Sequence, residues 1–75
     1  MNIIVQLGMR IRYLRKRKGM SQEDLALESG VNKNYLSDLE RGSRNPTVII
    51  VEKIANALEV DLSTLFKGIQ SFEDW

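Results

Sequence analysis

Five polar side chains stand close together in the stretch GVNKNYLSDLERG, residues 30–42, at spacings that one face of a helix would share. They are Asn32, Lys33, Asn34, Ser37 and Asp38. Amide, ammonium, hydroxyl and carboxylate groups donate and accept hydrogen bonds, which is the chemistry of recognising a polar partner. The residues of this stretch that suit a core are Val31, Leu36 and Leu39. We therefore expect a short helix that packs on one side and presents a polar face on the other.

Side chains for catalysis or metal binding are scarce. The 75 residues include no histidine and no cysteine, which removes the commonest metal ligand and general base and leaves no disulfide. No paired carboxylates fall in an apolar setting from which an active site could be built. We therefore expect no enzyme, no metal, no cofactor and no small-molecule ligand. The apolar start MNIIVQLGMR is too short for a signal peptide or a membrane span, so we expect a cytoplasmic protein without a membrane partner.

Charge is distributed unevenly along the chain, although the net charge is only +1. Residues 1–46 contain nine Lys and Arg against five Asp and Glu, whereas residues 47–75 contain two against five. Six of the basic residues fall between Arg10 and Lys18. The basic half could bind a polyanion. For the run from Arg10 to Lys18, an equal alternative is that its charges only keep one face of a helix in contact with water.

Glycines and capping residues place the first three helices that must carry the polar face. Apolar residues at spacings of three and four predict a first helix that Gly19 ends. Ser21 caps a second helix at 22–29, and Asn32 caps a third at 33–41.

The second half of the chain contains two more predicted helices. Asn45-Pro46 breaks the chain, because proline disfavours helical geometry in the residue before it. Thr47 caps a fourth helix, and Asp61 caps a short fifth at 62–67. We expect an all-α fold, a compact bundle of five short helices in a single domain over the whole chain.

The helices at 22–29 and 33–41 are separated by only three residues. A turn this short that contains glycine is typical of a helix-turn-helix, in which the second helix must cross the first. Ala26 is small where the two helices would approach, and Gly30 is placed for a positive φ. The spacing therefore predicts a helix-turn-helix at about 22–41.

The run SQEDLALESGVNKNYLSDLERGSRNP, residues 21–46, resembles the phage repressor/Cro-like helix-turn-helix family, and the similarity covers about residues 7–66. Among its members the chain is most similar to the restriction–modification controller proteins, in its Tyr-Leu-Ser and Glu-Arg-Gly segments at residues 35–37 and 40–42. The resemblance implies a regulator of transcription that binds double-stranded DNA sequence-specifically, as a homodimer on a dyad-symmetric operator. It also implies control of its own gene and of a linked restriction–modification system.

The polar face of the third helix suits a major groove, where Asn, Lys and Ser can bond to the edges of bases. The predicted base-reading residues are Asn32, Lys33, Asn34, Tyr35 and Ser37. Phosphate contacts set the register of such a complex. The resemblance implies Gln22, Arg44 and Asn45 for these contacts, and Arg41 is a further candidate beside them. Packing inward is an alternative for Tyr35, and capping the helix C-terminus is an equal one for Arg41.

Two further residue roles come from the resemblance. Arg15 matches a family arginine that pairs with the acid found here as Glu40, which implies a structural ion pair between the first and third helices; a DNA contact by Arg15 is the alternative. Glu23 matches an acidic position with which phage activators of the family touch RNA polymerase, but Leu27 stands where their companion acid would be. Repression by occlusion is the simpler mechanism.

The last helix and the tail, residues 61–75, are assigned to dimerisation, because late apolar residues exceed what so small a core needs. The resemblance places the interface near Leu62, Leu65, Phe66 and Ile69; closure of the monomer core is an equal alternative for the first three. One recognition helix covers few base pairs, so a dimer reads two half-sites, and two dimers could occupy adjacent sites.

Two other functions fit parts of the sequence. An antitoxin or protein-binding adaptor would bury its apolar tail in a partner and keep DNA binding for autoregulation. An unspecific nucleic-acid coat would bind every sequence alike, with a steep dependence on salt.

Overall fold

A computed structural model describes residues 2–69 and folds them into five helices without a strand in that range. The helices are α1 (Ile3–Arg17), α2 (Gln22–Ser29), α3 (Lys33–Glu40), α4 (Val48–Ala57) and α5 (Leu62–Leu65). The predicted all-α bundle of five short helices is confirmed. The tail that was assigned to dimerisation lies, beyond residue 69, outside the described residues.

Each helix begins where a side chain caps it, because the first backbone N–H groups of a helix have no partner inside the helix. The predicted caps Ser21, Asn32, Thr47 and Asp61 all accept such bonds. Ser21 forms a capping box, since its hydroxyl accepts from the Asp24 N–H while the Asp24 carboxylate accepts from the Ser21 N–H, both at 3.0 Å. These local bonds set four of the helix starts.

Two helices end earlier than the sequence predicted. Arg41 caps α3 rather than extending it, because Gly42 takes a left-handed φ of 79° and leads the chain away. α5 ends at Leu65, two residues before the predicted end, because Phe66 has left helical geometry at φ −89° and ψ 3°. The last helix is therefore a single turn.

The core lies where the five helices converge. The largest side chains without solvent exposure come from every helix: Ile11, Leu25, Leu36, Leu39, Ile54 and Leu65. The buried residues of α4 are Val51, Ile54 and Ala55, which share one face of the helix, and Leu58 directly after it is buried as well. None of the helices within residues 2–69 is long and apolar enough to cross a membrane.

Gly8 lets α1 and α3 pack backbone against backbone. A Cβ built on Gly8 would lie 2.3 Å from the Leu39 carbonyl oxygen and 2.9 Å from that of Glu40. A glycine in the middle of a helix lowers its stability by about 0.5–1 kcal/mol relative to alanine. Here that loss is offset by close contact with the C-terminal end of α3.

Candidate nucleic-acid interface

The turn between α2 and α3 has the geometry that the sequence predicted. Gly30 takes a φ of 72°, the left-handed conformation that favours glycine, and its N–H donates to the Ala26 carbonyl at 2.9 Å. The buried Ser29 hydroxyl accepts from the Val31 N–H at 3.3 Å. Val31 itself is buried in the core, so the turn is fixed from both sides.

The polar face of α3 points into solvent at its N-terminal half. Lys33 and Asn34 are exposed, and no described residue between 2 and 69 bonds to their side chains. Asn32 is exposed too, but its Oδ1 accepts from the N–H groups of Asn34 at 2.8 Å and Tyr35 at 3.2 Å. Its amide NH₂ is therefore the group that Asn32 can offer to a partner.

The C-terminal half of the same face carries a network of side chains centred on Asp38. Arg41 donates to the Ser37 hydroxyl at 2.8 Å and to the Asp38 carboxylate. Arg44 Nε lies 3.5 Å from the other Asp38 oxygen, and its guanidinium carbon lies 5.1 Å from the Tyr35 ring centroid. The Asp38 carboxylate thus links the predicted phosphate contacts Arg41 and Arg44, and through them it reaches two predicted base readers. From the sequence, Asp38 was placed on this polar face without a role of its own.

Tyr35 is half-buried and packs against the core, so its ring also has the inward contacts that the sequence left open. Arg41 caps the helix through its backbone N–H, which donates to the Ser37 and Leu39 carbonyls, while its side chain stays on the polar face. The structure therefore shows inward packing of the Tyr35 ring and a helix cap formed by the Arg41 backbone. The predicted DNA contacts of the two side chains remain predictions.

Arg15 and Glu40 form a buried, bidentate ion pair between α1 and α3. Arg15 Nε donates to Glu40 Oε2 at 2.7 Å and Nη2 donates to Oε1 at 3.0 Å. The side chains are 9% and 3% exposed. Arg15 Nη1 also donates to the Met20 carbonyl at 2.8 Å, which ties in the loop before α2. The Arg15 guanidinium is thus buried and bonded inside the fold, which favours the structural role over a DNA contact.

Gln22 completes this buried cluster from α2. Its side-chain amide donates to Glu40 Oε1 at 3.1 Å, and the side chain is half-buried. The amide that was predicted to bind phosphate therefore has a partner inside the protein. The N-terminus of α2, where Gln22 is the first residue, still presents backbone N–H groups that suit an anion.

Comparison with known proteins decides the family. Residues 11–65 match the helix-turn-helix family. The chain belongs to the helix-turn-helix family. It is 52% identical over 61 residues to the HTH-type transcriptional regulator SlrR of Bacillus subtilis, a match over 80% of this chain but only 40% of SlrR. It is 45% identical over 60 residues to Control protein C.BamHI of Bacillus amyloliquefaciens, a match over 79% of this chain and 74% of that protein.

A solved structure extends the likeness to the controller proteins. The fold superposes with a TM-score of 0.85 on the restriction–modification controller protein C.Esp1396I, determined as a tetramer in complex with its natural 35 base-pair operator. The two chains are 36% identical, over 92% of this chain and 91% of that one. The helix-turn-helix family and the controller subgroup, both inferred from sequence resemblance, are confirmed.

The residues near the last helix divide between the core and the surface. Leu65 and Ile69 are 0% and 5% exposed and pack inside the single chain. Leu62 and Phe66 are 39% and 37% exposed. Of the four residues predicted for a dimer interface, Leu65 and Ile69 serve the monomer core instead, because α5 is one turn long and turns this side inward.

Phe66 also borders an open apolar cleft of about 180 Å³ between α1 and α4. The cleft residues are Ile3, Ile4, Leu7, Asn45, Pro46, Val48, Val51 and Phe66. Asn45, predicted to bind phosphate, is exposed at its edge. Val48 and Ile49 on the first turn of α4 are strongly exposed, so the apolar surface continues beyond the cleft.

The basic run of α1 serves several purposes that its sequence does not distinguish. Arg10 donates to the carbonyls of Thr64 at 2.8 Å and Leu65 at 3.3 Å, which anchors α5 on α1. Arg17 donates to the Tyr13 hydroxyl at 2.9 Å and thereby lowers the pKa of that phenol. Arg12 is exposed and has no partner among the described residues. Only part of the run is therefore free to meet a polyanion.

The proposed activation surface on α2 is exposed but mixed in chemistry. Glu23 lies in the first turn of α2 with its side chain in solvent. Leu27, one turn later, is also exposed, so an apolar side chain stands beside the acid.

Proposed function

We propose that this protein is a sequence-specific DNA-binding regulator of transcription that acts as a homodimer on a dyad-symmetric operator. The observation that supports it most directly is the exposed pair Lys33 and Asn34, whose side chains have no bonding partner within residues 2–69, on a helix that is buried on its opposite side. A surface helix that keeps free donors and acceptors while its far side is fixed in a core can enter a major groove without rearranging.

The chemistry of each side chain suggests what it reads. Asn34 can form a bidentate pair with adenine, and Lys33 can donate to guanine O6 and N7. The Asn32 amide NH₂ remains available as a donor at the start of the helix. Ser37 and Tyr35 complete the base-reading group from the side that faces Arg41 and Arg44.

Phosphate contacts are expected on both flanks of α3. Arg41, Arg44 and Asn45 lie after the recognition helix and are exposed to solvent. On the other flank, the first N–H groups of α2 replace the Gln22 side chain as the group that we assign to phosphate. The two flanks would hold the helix at one register on the duplex.

The dimer interface is assigned to the exposed apolar surface of Leu62 and Phe66, continued by Val48 and Ile49. A symmetric contact there would set two recognition helices against two half-sites about one helical turn apart. Because C.Esp1396I binds its operator as a tetramer, two dimers on adjacent sites are the expected arrangement at high occupancy.

Regulation by occupancy follows from this assembly. Binding upstream of its own gene would block transcription by occlusion, and control of a linked restriction–modification system agrees with the controller likeness. Activation through Glu23 and RNA polymerase is the less supported branch, because Leu27 stands where a second acid would be needed.

The test is competition binding to the duplex upstream of the gene, with and without excess scrambled duplex at fixed salt. Asn34→Ala and Ser37→Ala should each weaken operator binding by about 1–3 kcal/mol, which is 5- to 150-fold, because each removes a base contact. Asn56→Ala, an exposed asparagine on α4, is the matched control and should change nothing. If excess scrambled duplex abolishes binding to the upstream duplex at every salt concentration, the chain does not read bases. A protein partner at the apolar surface would then be the next hypothesis to test.

A further inference from the structure

We propose that Asp38 is a specificity-determining residue that restrains two arginines of the DNA-binding face and so suppresses binding to DNA that lacks the operator sequence. This inference rests on the proposed function. It arises from the network at the C-terminal half of α3, which joins Asp38 to both Arg41 and Arg44.

The two oxygens of the Asp38 carboxylate contact different arginines. Oδ1 accepts from Arg41 Nη2, and Oδ2 lies 3.5 Å from Arg44 Nε. The Asp38 backbone carbonyl accepts from both the N–H and the hydroxyl of Ser43 at 3.0 Å, which fixes the loop that carries Arg44. The carboxylate therefore sits between the two arginines as part of an ordered turn.

Each restrained arginine in turn touches a predicted base reader. Arg41 donates to the Ser37 hydroxyl at 2.8 Å, and Arg44 lies 5.1 Å over the Tyr35 ring. Loss of the carboxylate would free both guanidinium groups and loosen the positions of Ser37 and Tyr35. Asp38 thus acts on charge and on geometry at once.

The effect on the affinity for non-operator DNA follows from counterion release. Binding without sequence preference comes almost entirely from phosphate contacts, and each one steepens the dependence of log K on log salt by about 0.9. One additional contact is therefore worth about eightfold in affinity per tenfold drop in salt. Arginines held by Asp38 are less available for such contacts, whereas operator binding also draws on base contacts that Asp38 helps to position.

The experiment measures Asp38→Asn against two duplexes, the one upstream of the gene and a scrambled one of the same composition. Over a salt series, affinity for the scrambled duplex should rise at least five- to tenfold at about 0.1 M salt, with a slope steeper by about 0.9 for each released arginine that gains a phosphate contact. Affinity for the upstream duplex should rise less or fall, so the ratio between them drops. Glu52→Gln changes the net charge equally at an exposed acid on α4 and should leave the ratio unchanged.

A second background isolates the arginines. In a variant with Arg41→Gln and Arg44→Gln, adding Asp38→Asn should have no effect on the scrambled duplex, because the groups that it restrains are gone. The same rise in that background, or no rise in the parent chain, would overturn the proposal. If the unaltered chain does not prefer the upstream duplex at all, the proposed function fails and this inference fails with it.

Discussion

Removing either partner of the Arg15–Glu40 pair should destabilise the domain by roughly 3–5 kcal/mol, because the remaining charge stays buried without its counter-charge. Arg15→Met leaves a carboxylate whose side chain is 3% exposed, with the Gln22 amide as its remaining donor among the described residues. Glu40→Leu leaves a guanidinium that is 9% exposed, with the Met20 carbonyl as its acceptor. A chain of this length has a total unfolding free energy on the order of 4–11 kcal/mol, so each change removes a large share.

The double variant Arg15→Met/Glu40→Leu should be more stable than either single variant, and its loss should be far smaller than the sum of the two single losses. No charge is stranded in it, and apolar replacement of a buried ion pair is often neutral or stabilising. The Met20 carbonyl loses its Arg15 donor in the Arg15→Met variant and in the double variant, but not in Glu40→Leu, so that loss cancels in the comparison.

Urea unfolding followed by circular dichroism measures these differences. The protein concentration must be constant, because dimerisation would link stability to concentration. With a urea slope of about 1 kcal/mol per molar for a domain this small, each single variant should lower the midpoint by about 3–5 M or unfold without urea. Glu52→Leu, at an exposed acid on α4, is the control. Single losses below about 1 kcal/mol, as for an exposed pair, or strictly additive losses would refute this reasoning.

Gly8→Ala should destabilise the domain by about 1–3 kcal/mol or more, because its Cβ would force α1 from α3. A Cβ at Gly19 would meet nothing within 4 Å, so Gly19→Ala should be destabilised only by the strain of an alanine at a φ of 75°. Thermal unfolding of both variants tests whether Gly8→Ala is the less stable. Hydrogen bonds from Thr64, side chain first and then backbone, lower the pKa of the Asp61 carboxyl. The stabilisation by the Asp61 carboxylate is therefore complete above its pKa of about 4 in the unfolded chain, and it is lost as the pH falls through the lower pKa of the folded chain. Asp61→Asn should flatten the acidic side of a plot of unfolding free energy against pH. An unchanged acidic side would contradict this role of the cap. Phe66→Ser should dissociate the dimer in sedimentation while the monomer stays folded, whereas Leu65→Ala should lower the unfolding free energy by about 2–5 kcal/mol. A Phe66 variant that sediments as a dimer would remove that residue from the interface.

Helix starts were predictable because each depends on one local hydrogen bond. Ser21, Asn32, Thr47 and Asp61 each bond to a backbone N–H two or three residues later, within reach of a sequence pattern. The turn at Gly30 was predictable for the same reason, since its left-handed φ depends on the residue itself.

The features that the sequence did not reveal depend on distant parts of the chain. Gly8 looks like a destabilising residue inside a helix until α3 is placed across it. In the sequence Arg10 looks like one more basic residue in a run, yet its side chain donates to carbonyls 54 and 55 residues away. Apolar spacing also cannot separate core from interface, so Leu65 and Phe66 looked alike although only one is buried.

Glu40 connects the stability of the fold with the direction of the recognition helix. It is the last residue of α3, and it accepts hydrogen bonds from Arg15 on α1 and Gln22 on α2. Such directional bonds fix an orientation, whereas apolar contacts of the same area tolerate small rotations. A rotation of α3 would displace Lys33 and Asn34 at its other end, since they lie on the first turn.

The double variant of the ion pair therefore separates stability from orientation. If directional bonds hold α3 for reading bases, the apolar double variant should fold yet lose discrimination between the upstream and scrambled duplexes, while it still binds both through phosphates. Full discrimination in a folded double variant would mean that the packing of Leu36 and Leu39 alone orients the helix. The ion pair would then be dispensable for recognition, and its burial would need another reason.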